Sequence, residues 1–126
     1  MISSQLEVTL LGTGTSTGVP VPGCHCAVCR SDDPHNNRTR CSLLLSCAGK
    51  NILVDTATDL RQQALRENIS HIDAVLFTHT HADHIHGIDD LRVFALQMKK
   101  RMPVYIDEET AGGLLARFRY CFEQAP

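Results

Sequence analysis

The chain has 126 residues, of which 43% are hydrophobic and 21% are charged, and its formal net charge is -2 at pH 7. This length predicts one domain with a modest core, and the near-neutral charge gives no electrostatic footprint for binding nucleic acid. No apolar run approaches the roughly 20 residues that cross a bilayer, and the N-terminus lacks the pattern of a signal peptide. We therefore expect a cytoplasmic protein without a membrane partner, whose six cysteines are thiols or metal ligands rather than disulfides.

Strands dominate the predicted elements in the first half of the chain. Apolar and polar residues alternate over residues 6–10, which indicates a first strand. A glycine-rich loop and then a polar, cysteine-bearing loop at about residues 22–40 follow it. Residues 41–45 and 51–54 are rich in leucine, isoleucine and valine, and they predict two strands joined in a hairpin.

Helices alternate with short strands in the second half of the chain. The pattern predicts, in chain order, a helix capped by Thr58 or Asp59, a strand over residues 72–77, a helix after Gly87, a strand over residues 102–106 and a helix capped by Asp107. Strands that alternate with helices in this way indicate a layered α/β domain.

A cluster of ionisable residues follows the strand predicted over residues 72–77, in the pattern His-x-His-x-Asp-His. Residues two apart in an extended chain point the same way, so His79 and His81 can present their imidazoles to one cation. Asp83 and His84 lie just past the strand end and turn toward a neighbouring position. Imidazole and carboxylate together suit zinc, manganese or iron rather than calcium. The pattern predicts a metal site rather than a solvated turn, with His86 as either a surface or substrate-side histidine or a further ligand.

A pair of metal ions at this cluster would explain a hydrolytic reaction. Two adjacent ions can bind a water molecule between them, convert it to hydroxide near neutral pH and clamp the oxygens of the bond that breaks. The sequence contains no Gly-x-Ser-x-Gly motif, and this chemistry needs no nucleophile from the protein. The cluster therefore predicts hydrolysis by a metal-bound hydroxide.

Two segments carry a resemblance to a known family. FTHTHADHIHGIDDLR resembles the signature of the metallo-β-lactamase superfamily, and LGTGTSTGVPVPGCHCAVC is similar to its PhnP-like phosphodiesterase branch. The resemblance extends from Leu10 to about Phe122 and implies an αββα sandwich, of which residues 1–126 cover about the first half. It also implies two zinc or manganese ions, a small phosphodiester substrate, cyclic ribose phosphates in particular, and a homodimer.

The resemblance assigns roles to single residues of the cluster. His79 and His81 would serve one ion of a dinuclear centre, and Asp83 and His84 would serve the other, so that loss of Asp83 should abolish catalysis. Asp55 matches the family's buried aspartate behind the metal-binding loop, although its spacing fits equally a residue that caps a turn.

Family members extend well beyond this length, and their remaining ligands come from the second half. We therefore expect the 126-residue chain alone to be inactive. Half of a two-sheet sandwich should also expose an apolar face, which we expect to be built from Leu6, Val8, Leu43, Leu45 and Leu53.

A second metal site is predicted in the cysteine-bearing loop. Cys24, Cys26 and Cys29 can occupy three corners of a zinc tetrahedron, and structural zinc sites have a fourth ligand. The alternative is three reduced, buried cysteines, but a crowded cytosolic cluster more often binds metal. The resemblance also implies a structural zinc here, with a histidine beyond residue 126 as its fourth ligand. The other cysteines are interpreted as core residues, namely Cys41, Cys47 and Cys121.

Three further patterns leave alternatives open. The glycine-rich loop over residues 12–18 lacks the ending of a phosphate-binding loop, so we interpret it as a tight turn beside the metal site. Arg38 and Arg40 could hold a phosphate or form structural ion pairs. Two rival functions are a tRNA 3′-processing nuclease of the same superfamily, which the lack of a basic patch disfavours, and a catalytically silent zinc-binding fragment.

Overall fold

One five-stranded sheet carries the fold of the computed structural model, which describes residues 5–123 and leaves residues 1–4 and 124–126 outside. Its strands lie in chain order: β1 (Glu7–Gly12), β2 (Ser42–Cys47), β3 (Lys50–Val54), β4 (Ala74–Leu76) and β5 (Val104–Tyr105). The pairs β1–β2 and β2–β3 are antiparallel, whereas the pairs β3–β4 and β4–β5 are parallel. The expected mixture of strands and helices is thereby confirmed.

Within the described part of the chain, four α-helices accompany the sheet: α1 (Leu60–Arg66), α2 (Ala82–Ile85), α3 (Leu91–Met98) and α4 (Glu108–Glu123). The predicted cap of α4 is confirmed, because the Asp107 carboxylate accepts hydrogen bonds from the hydroxyl and backbone N–H of Thr110, which lower the pKa of Asp107. Helix α4 is kinked at Phe118, where φ is -124° and ψ is 35°. Within residues 5–123, no helix is long and apolar enough to cross a membrane.

The predicted hairpin is confirmed, and its turn explains its register. Ala48 and Gly49 connect β2 to β3 with φ angles of 49° and 75°. Two consecutive positive φ values match the right-handed twist of the two strands, and glycine adopts such a conformation without strain. The turn pairs Cys47 with Lys50 and, four pairs further on, Leu43 with Val54.

The helices lie against one face of the sheet, and the hydrophobic core lies between that face and the helices. Leu44, Leu53 and Val75 point to this face and are 6%, 0% and 0% exposed. They pack with residues from the helices and loops, among them Leu60, Ile85, Leu91, Phe94 and Leu114. The expectation that Leu53 lies on the exposed face was wrong. The register sets it beside Leu44, and side chains alternate along a strand, so its neighbour Ile52 points outward instead.

The interpretation of Cys41 as a core residue was also wrong, because its side chain is exposed. The neighbouring Ser42 is 3% exposed, and its hydroxyl donates to the backbone carbonyls of Val54 and Asp55 at 3.1 and 3.0 Å. Because the serine points inward, the residue before it points out. Cys47 and Cys121 are partly buried.

The glycine-rich loop is held by a close backbone approach. A Cβ atom at Gly12 would lie 1.9 Å from the carbonyl oxygen of Arg40, so no larger residue fits there. The Arg40 guanidinium donates two hydrogen bonds to the Asp59 carboxylate, at 2.9 and 2.8 Å. These bonds lower the pKa of Asp59. Asp59 lies at the N-cap position of α1 but makes no capping bond. Arg40 therefore forms a structural ion pair and not a phosphate site.

Truncation of the core side of the sheet should cost far more than truncation of an exposed helix position. We expect Leu53→Ala to lower the free energy of unfolding by about 2–5 kcal/mol, because it leaves a cavity between β3 and the helices. Leu65→Ala is the matched control, since Leu65 is 62% exposed on α1. Urea unfolding followed by circular dichroism measures both values, and equal losses would contradict the assignment of the core face.

Candidate metal centre

The histidine cluster is positioned by the ends of two parallel strands. Asp55 follows β3, and Thr78 and His79 follow β4. Because β3 and β4 are parallel, all three residues lie at the carboxyl ends of these strands. The backbone N–H of Asp55 donates to the carbonyl of Leu76 at 2.8 Å. Asp55 has a φ of 60°, a left-handed conformation that aspartate tolerates better than most residues. Its carboxylate is 4% exposed and accepts the backbone N–H of Thr78 at 2.8 Å.

Hydrogen bonds to this carboxylate orient two imidazoles. The second oxygen of Asp55 accepts the hydroxyl of Thr78 at 2.6 Å and Nδ1 of His84 at 2.7 Å. The hydroxyl of Thr78 donates to Asp55, so it accepts from Nδ1 of His79, which lies 2.8 Å away. Both histidines therefore carry their proton on Nδ1. Nε2 is therefore the ring nitrogen that is left to bind a metal in each, which is the arrangement found when a second layer of residues orients metal ligands.

The four residues of the predicted cluster lie together. The ring centroids of His79 and His84 are 4.1 Å apart, and those of His79 and His81 are 4.6 Å apart. The Asp83 carboxylate lies 3.3 Å from Nε2 of His84. Ligand atoms of Asp55, His79 and His84 lie within 4.8 Å of one another. Partly buried imidazoles beside a carboxylate form a donor set that fits zinc or manganese.

Backbone bonds hold α2, which carries Asp83 and His84, against the loop after β3. The N–H of Thr56 donates to the carbonyl of His84 at 2.8 Å, and the N–H of Gly87 donates to the carbonyl of Thr56 at 3.0 Å. A Cβ atom at Gly87 would lie 2.0 Å from the carbonyl oxygen of Ala57. Gly87 therefore permits the close approach that sets the position of the helix.

Helix α4 contacts the same cluster from the other side. The guanidinium of Arg117 donates to the carbonyl of Thr80 at 2.6 Å, and Gly113 leaves just enough space for the Thr80 side chain. The exposed ring of His86 lies edge-on to Phe118, with centroids 5.8 Å apart. Of the two alternatives for His86, its position against α4 favours a surface residue. Sequence reasoning missed Thr78 and Arg117, and the only local signal was a threonine directly before His79.

The three cysteines of the predicted zinc loop also lie together. The sulfurs of Cys24, Cys26 and Cys29 lie within 4.8 Å of one another, and none of the three cysteines forms a disulfide. The backbone N–H of Cys29 donates to the sulfur of Cys26 at 3.5 Å, which lowers the pKa of Cys26 to about 7. The N–H of Val21 donates to the sulfur of Cys29 at 3.4 Å. Three clustered sulfurs, of which that of Cys26 is stabilised as a thiolate, fit a zinc ion.

A cavity at the other end of the helices does not coincide with either cluster. It has a volume of about 940 Å³ and lies between α3, β5 and α4, where Leu96, Met102 and Leu115 are among the residues that line it. No residue of the histidine cluster lines this cavity. The candidate metal centre is therefore identified by its donor atoms and not by its concavity.

Known proteins resemble the chain over most of its length. A model of the beta-lactamase superfamily domain matches residues 50–126. An octanoyltransferase from Porphyromonas gingivalis is 50% identical over 122 residues, which cover 96% of this chain and 24% of that protein. The chain therefore corresponds to one part of a much longer relative.

Two solved structures are similar in fold. A diphosphatase from the PhnP family superposes with a TM-score of 0.88 at 48% identity, covering 94% of this chain and 49% of that chain. Zn²⁺-bound PqqB from Methylobacterium extorquens superposes with a TM-score of 0.73 at 25% identity, covering 93% of this chain and 44% of that chain. The chain thus spans about half the length of these proteins. Together, the matches confirm the resemblance noted in the sequence, and the chain belongs to the metallo-β-lactamase superfamily.

Proposed function

We propose that this chain supplies the first metal ligands of a metal-dependent phosphodiesterase that cleaves small phosphodiesters. The observation that carries the proposal is the network around Asp55, which holds Nδ1 of both His79 and His84 and leaves their Nε2 atoms to bind a metal, with Nε2 of His84 beside the Asp83 carboxylate. The similarity to a PhnP family diphosphatase supports phosphate chemistry as the reaction class. Because the chain spans about half of that protein, the activity is proposed for a polypeptide of the diphosphatase's length.

The residues of this chain would orient the ligands and hold them in place. His79, His81, Asp83 and His84 would hold two divalent ions, which supply activation of water and neutralisation of phosphate charge when bound. Asp55 fixes the tautomers, so no ring has to rotate for Nε2 to become available. Arg117 holds the backbone carbonyl of the residue between the first two histidines.

The charge of the chain supports a small substrate over a polynucleotide. Proteins that bind nucleic acid neutralise many phosphates with clustered cations, whereas this chain has a formal net charge of -2. Arg40 is committed to Asp59, and Arg38 is exposed with a single hydrogen bond to the hydroxyl of Thr13. The tRNA-processing alternative therefore lacks the electrostatic support that a long substrate needs.

We also propose that Cys24, Cys26 and Cys29 hold a structural zinc ion. Three sulfurs within 4.8 Å of one another support this role, as does the low pKa of Cys26, because zinc binds thiolates. The ion would cross-link residues within the long connection between β1 and β2 and so contribute folding energy.

The first test of the metal centre uses a chimera in which residues 1–126 replace the matching part of the PhnP family diphosphatase. We expect Asp55→Asn in this chimera to weaken Mn²⁺ binding by about 10–100-fold, because both histidine tautomers lose their anchor. Asparagine tolerates the positive φ at this position. Calorimetric titration measures the affinity, and exposed Asp32→Asn is the matched control. Equal affinity in the two variants would contradict the role of Asp55.

Removal of a ligand should abolish turnover. In the same chimera, we expect Asp83→Ala to reduce hydrolysis of a chromogenic phosphodiester by at least about 1,000-fold, because one ion loses its carboxylate ligand. Asp32→Ala should retain the parent rate. The unextended 126-residue chain should show no turnover with manganese. An Asp83→Ala variant with the rate and the metal content of the parent chimera would refute the assignment of this ligand.

The cysteine loop is tested by metal analysis. We expect a variant with Cys24→Ser, Cys26→Ser and Cys29→Ser to lose about one zinc per chain and to unfold at a lower temperature. The exposed Cys41→Ser is the matched control and should keep both values. Plasma emission spectrometry and thermal unfolding provide the two measurements. A triple variant with unchanged zinc content would eliminate the proposed site.

A further inference from the structure

The connection between β1 and β2 returns to the end of the sheet that carries the histidine cluster. Strand register aligns four side chains in one row at this end of the sheet: Leu10, Leu43, Val54 and Leu76. The chain leaves β1, β3 and β4 beyond this row and enters β2 just before it. The segment of residues 38–40, which lies just before β2, is therefore at the same end of the sheet as the candidate metal ligands.

Backbone contacts fix this segment against the glycine-rich loop. The N–H of Gly14 donates to the carbonyl of Thr39 at 2.8 Å, and Arg38 and Val19 exchange two backbone hydrogen bonds of 2.8 Å each. A Cβ atom at Gly14 would lie 2.6 Å from the carbonyl oxygen of Arg38, so only glycine permits this approach. The backbone is thus held in one position without any use of the Arg38 side chain.

The two arginines of the segment point away from the core. The hydroxyl of Thr39, which lies between them, donates to the carbonyl of Leu11 at 3.1 Å and accepts from the buried Gln63 at 3.0 Å. Side chains alternate along an extended chain, so Arg38 and Arg40 project to the opposite side from Thr39.

Arg40 connects this side of the segment to the candidate metal centre. Hydrogen bonds to Asp59 raise the pKa of Arg40, and the charge of Asp83 raises it further. Asp83 is one of the proposed metal ligands, so Arg40 lies within electrostatic reach of the centre while it remains paired with Asp59. Two residues of extended chain span about 7 Å. Arg38 is therefore the next cation beside the centre.

The guanidinium of Arg38 is available to a ligand. It is exposed, and one of its N–H groups donates to the hydroxyl of Thr13 at 2.8 Å. A guanidinium carries five donors, and a hydroxyl that accepts from one partner can donate to another. The pKa of Asp33 is lowered first by its hydrogen bonds to His35 and least by the charge of Arg38. The Asp33 carboxylate thus takes its hydrogen bonds from His35 and leaves the Arg38 fork unoccupied.

We propose that Arg38, oriented by Thr13, binds a phosphate oxygen of the substrate beside the metal ions and so determines substrate affinity. A planar guanidinium can donate two parallel hydrogen bonds to one phosphate, which a lysine cannot reproduce. One such cation serves one phosphate, in keeping with a small substrate. The inference rests on the proposed function, because it names a residue that would bind the substrate of that site.

Steady-state kinetics of the chimera described above test the proposal. For thymidine 3′-(para-nitrophenyl phosphate), we expect Arg38→Ala to raise KM about 10-fold with little change in kcat, because a contact outside the reacting atoms is made equally in the ground state and the transition state. Arg38→Lys should give an intermediate KM. The matched control is Arg101→Ala, since Arg101 is exposed before β5, at the opposite end of the sheet.

A second ester, which carries an additional 5′-phosphate, distinguishes the two sources of the phosphate oxygen. An equal rise of KM for both esters assigns Arg38 to the phosphate that is cleaved. A larger rise for the doubly phosphorylated ester assigns it to the other phosphate. Unchanged KM values for both esters, a loss confined to kcat, or an equal effect of Arg101→Ala would each overturn the proposal.

A binding measurement on the 126-residue chain needs neither metal nor turnover. With isotope-labelled arginine, inorganic phosphate at constant ionic strength should shift the Nε–H resonance of Arg38 more than that of Arg101. The Arg38→Lys variant identifies the first resonance by its absence. An Arg38 resonance that only follows that of Arg101 overturns the inference. A parent chimera without turnover would instead refute the proposed function, and this titration would still decide whether Arg38 binds phosphate.

Discussion

The carboxylate of Asp55 accepts three hydrogen bonds from residues beyond β4, namely the N–H and hydroxyl of Thr78 and Nδ1 of His84. A charge that is 4% exposed is costly to bury unless it is hydrogen-bonded, so the loop after β4 must adopt the conformation that supplies these donors. The orientation of both histidines follows from this requirement. The two imidazoles are thus fixed by a residue that follows a different strand.

The short helix α2 shows the same dependence on distant contacts. Four residues are too few to form a helix by their own propensity, because nucleation is costly. Its position depends on the backbone bonds to Thr56 and on Gly87, which allows the chain to lie against Ala57. Both contacts come from the segment that follows Asp55. The loop after β3 therefore holds the segment before His79 through Asp55 and the segment after His84 through Thr56.

Local patterns were sufficient to predict the elements that local interactions stabilise. The hairpin between β2 and β3 was predicted from its apolar runs and its glycine turn, and the start of α4 was predicted from its Asp107 cap. The histidine cluster was predicted because its residues are close in sequence. Helix α2 and the roles of Thr78 and Arg117 were missed, because they depend on contacts between residues far apart in the chain.

The face of a side chain was the hardest property to predict. Leu53 and Ile52 are adjacent apolar residues of β3, and their apolar character alone does not decide which of them faces the helices. The register with β2 pairs Leu53 with the buried Leu44, and a shift of one residue would exchange the two faces. The exposure of Cys41 has the same origin, because the inward Ser42 sets the alternation.

The contact between Arg117 and the carbonyl of Thr80 has a consequence for how the histidine cluster is held. Thr80 lies between His79 and His81, so the backbone there is fixed from α4 while the network around Asp55 fixes the rings of His79 and His84 from β3. The two anchors act on different parts of the same short segment, and neither of them uses an Nε2 atom. A substitution in α4 can therefore displace the imidazoles although it touches none of them.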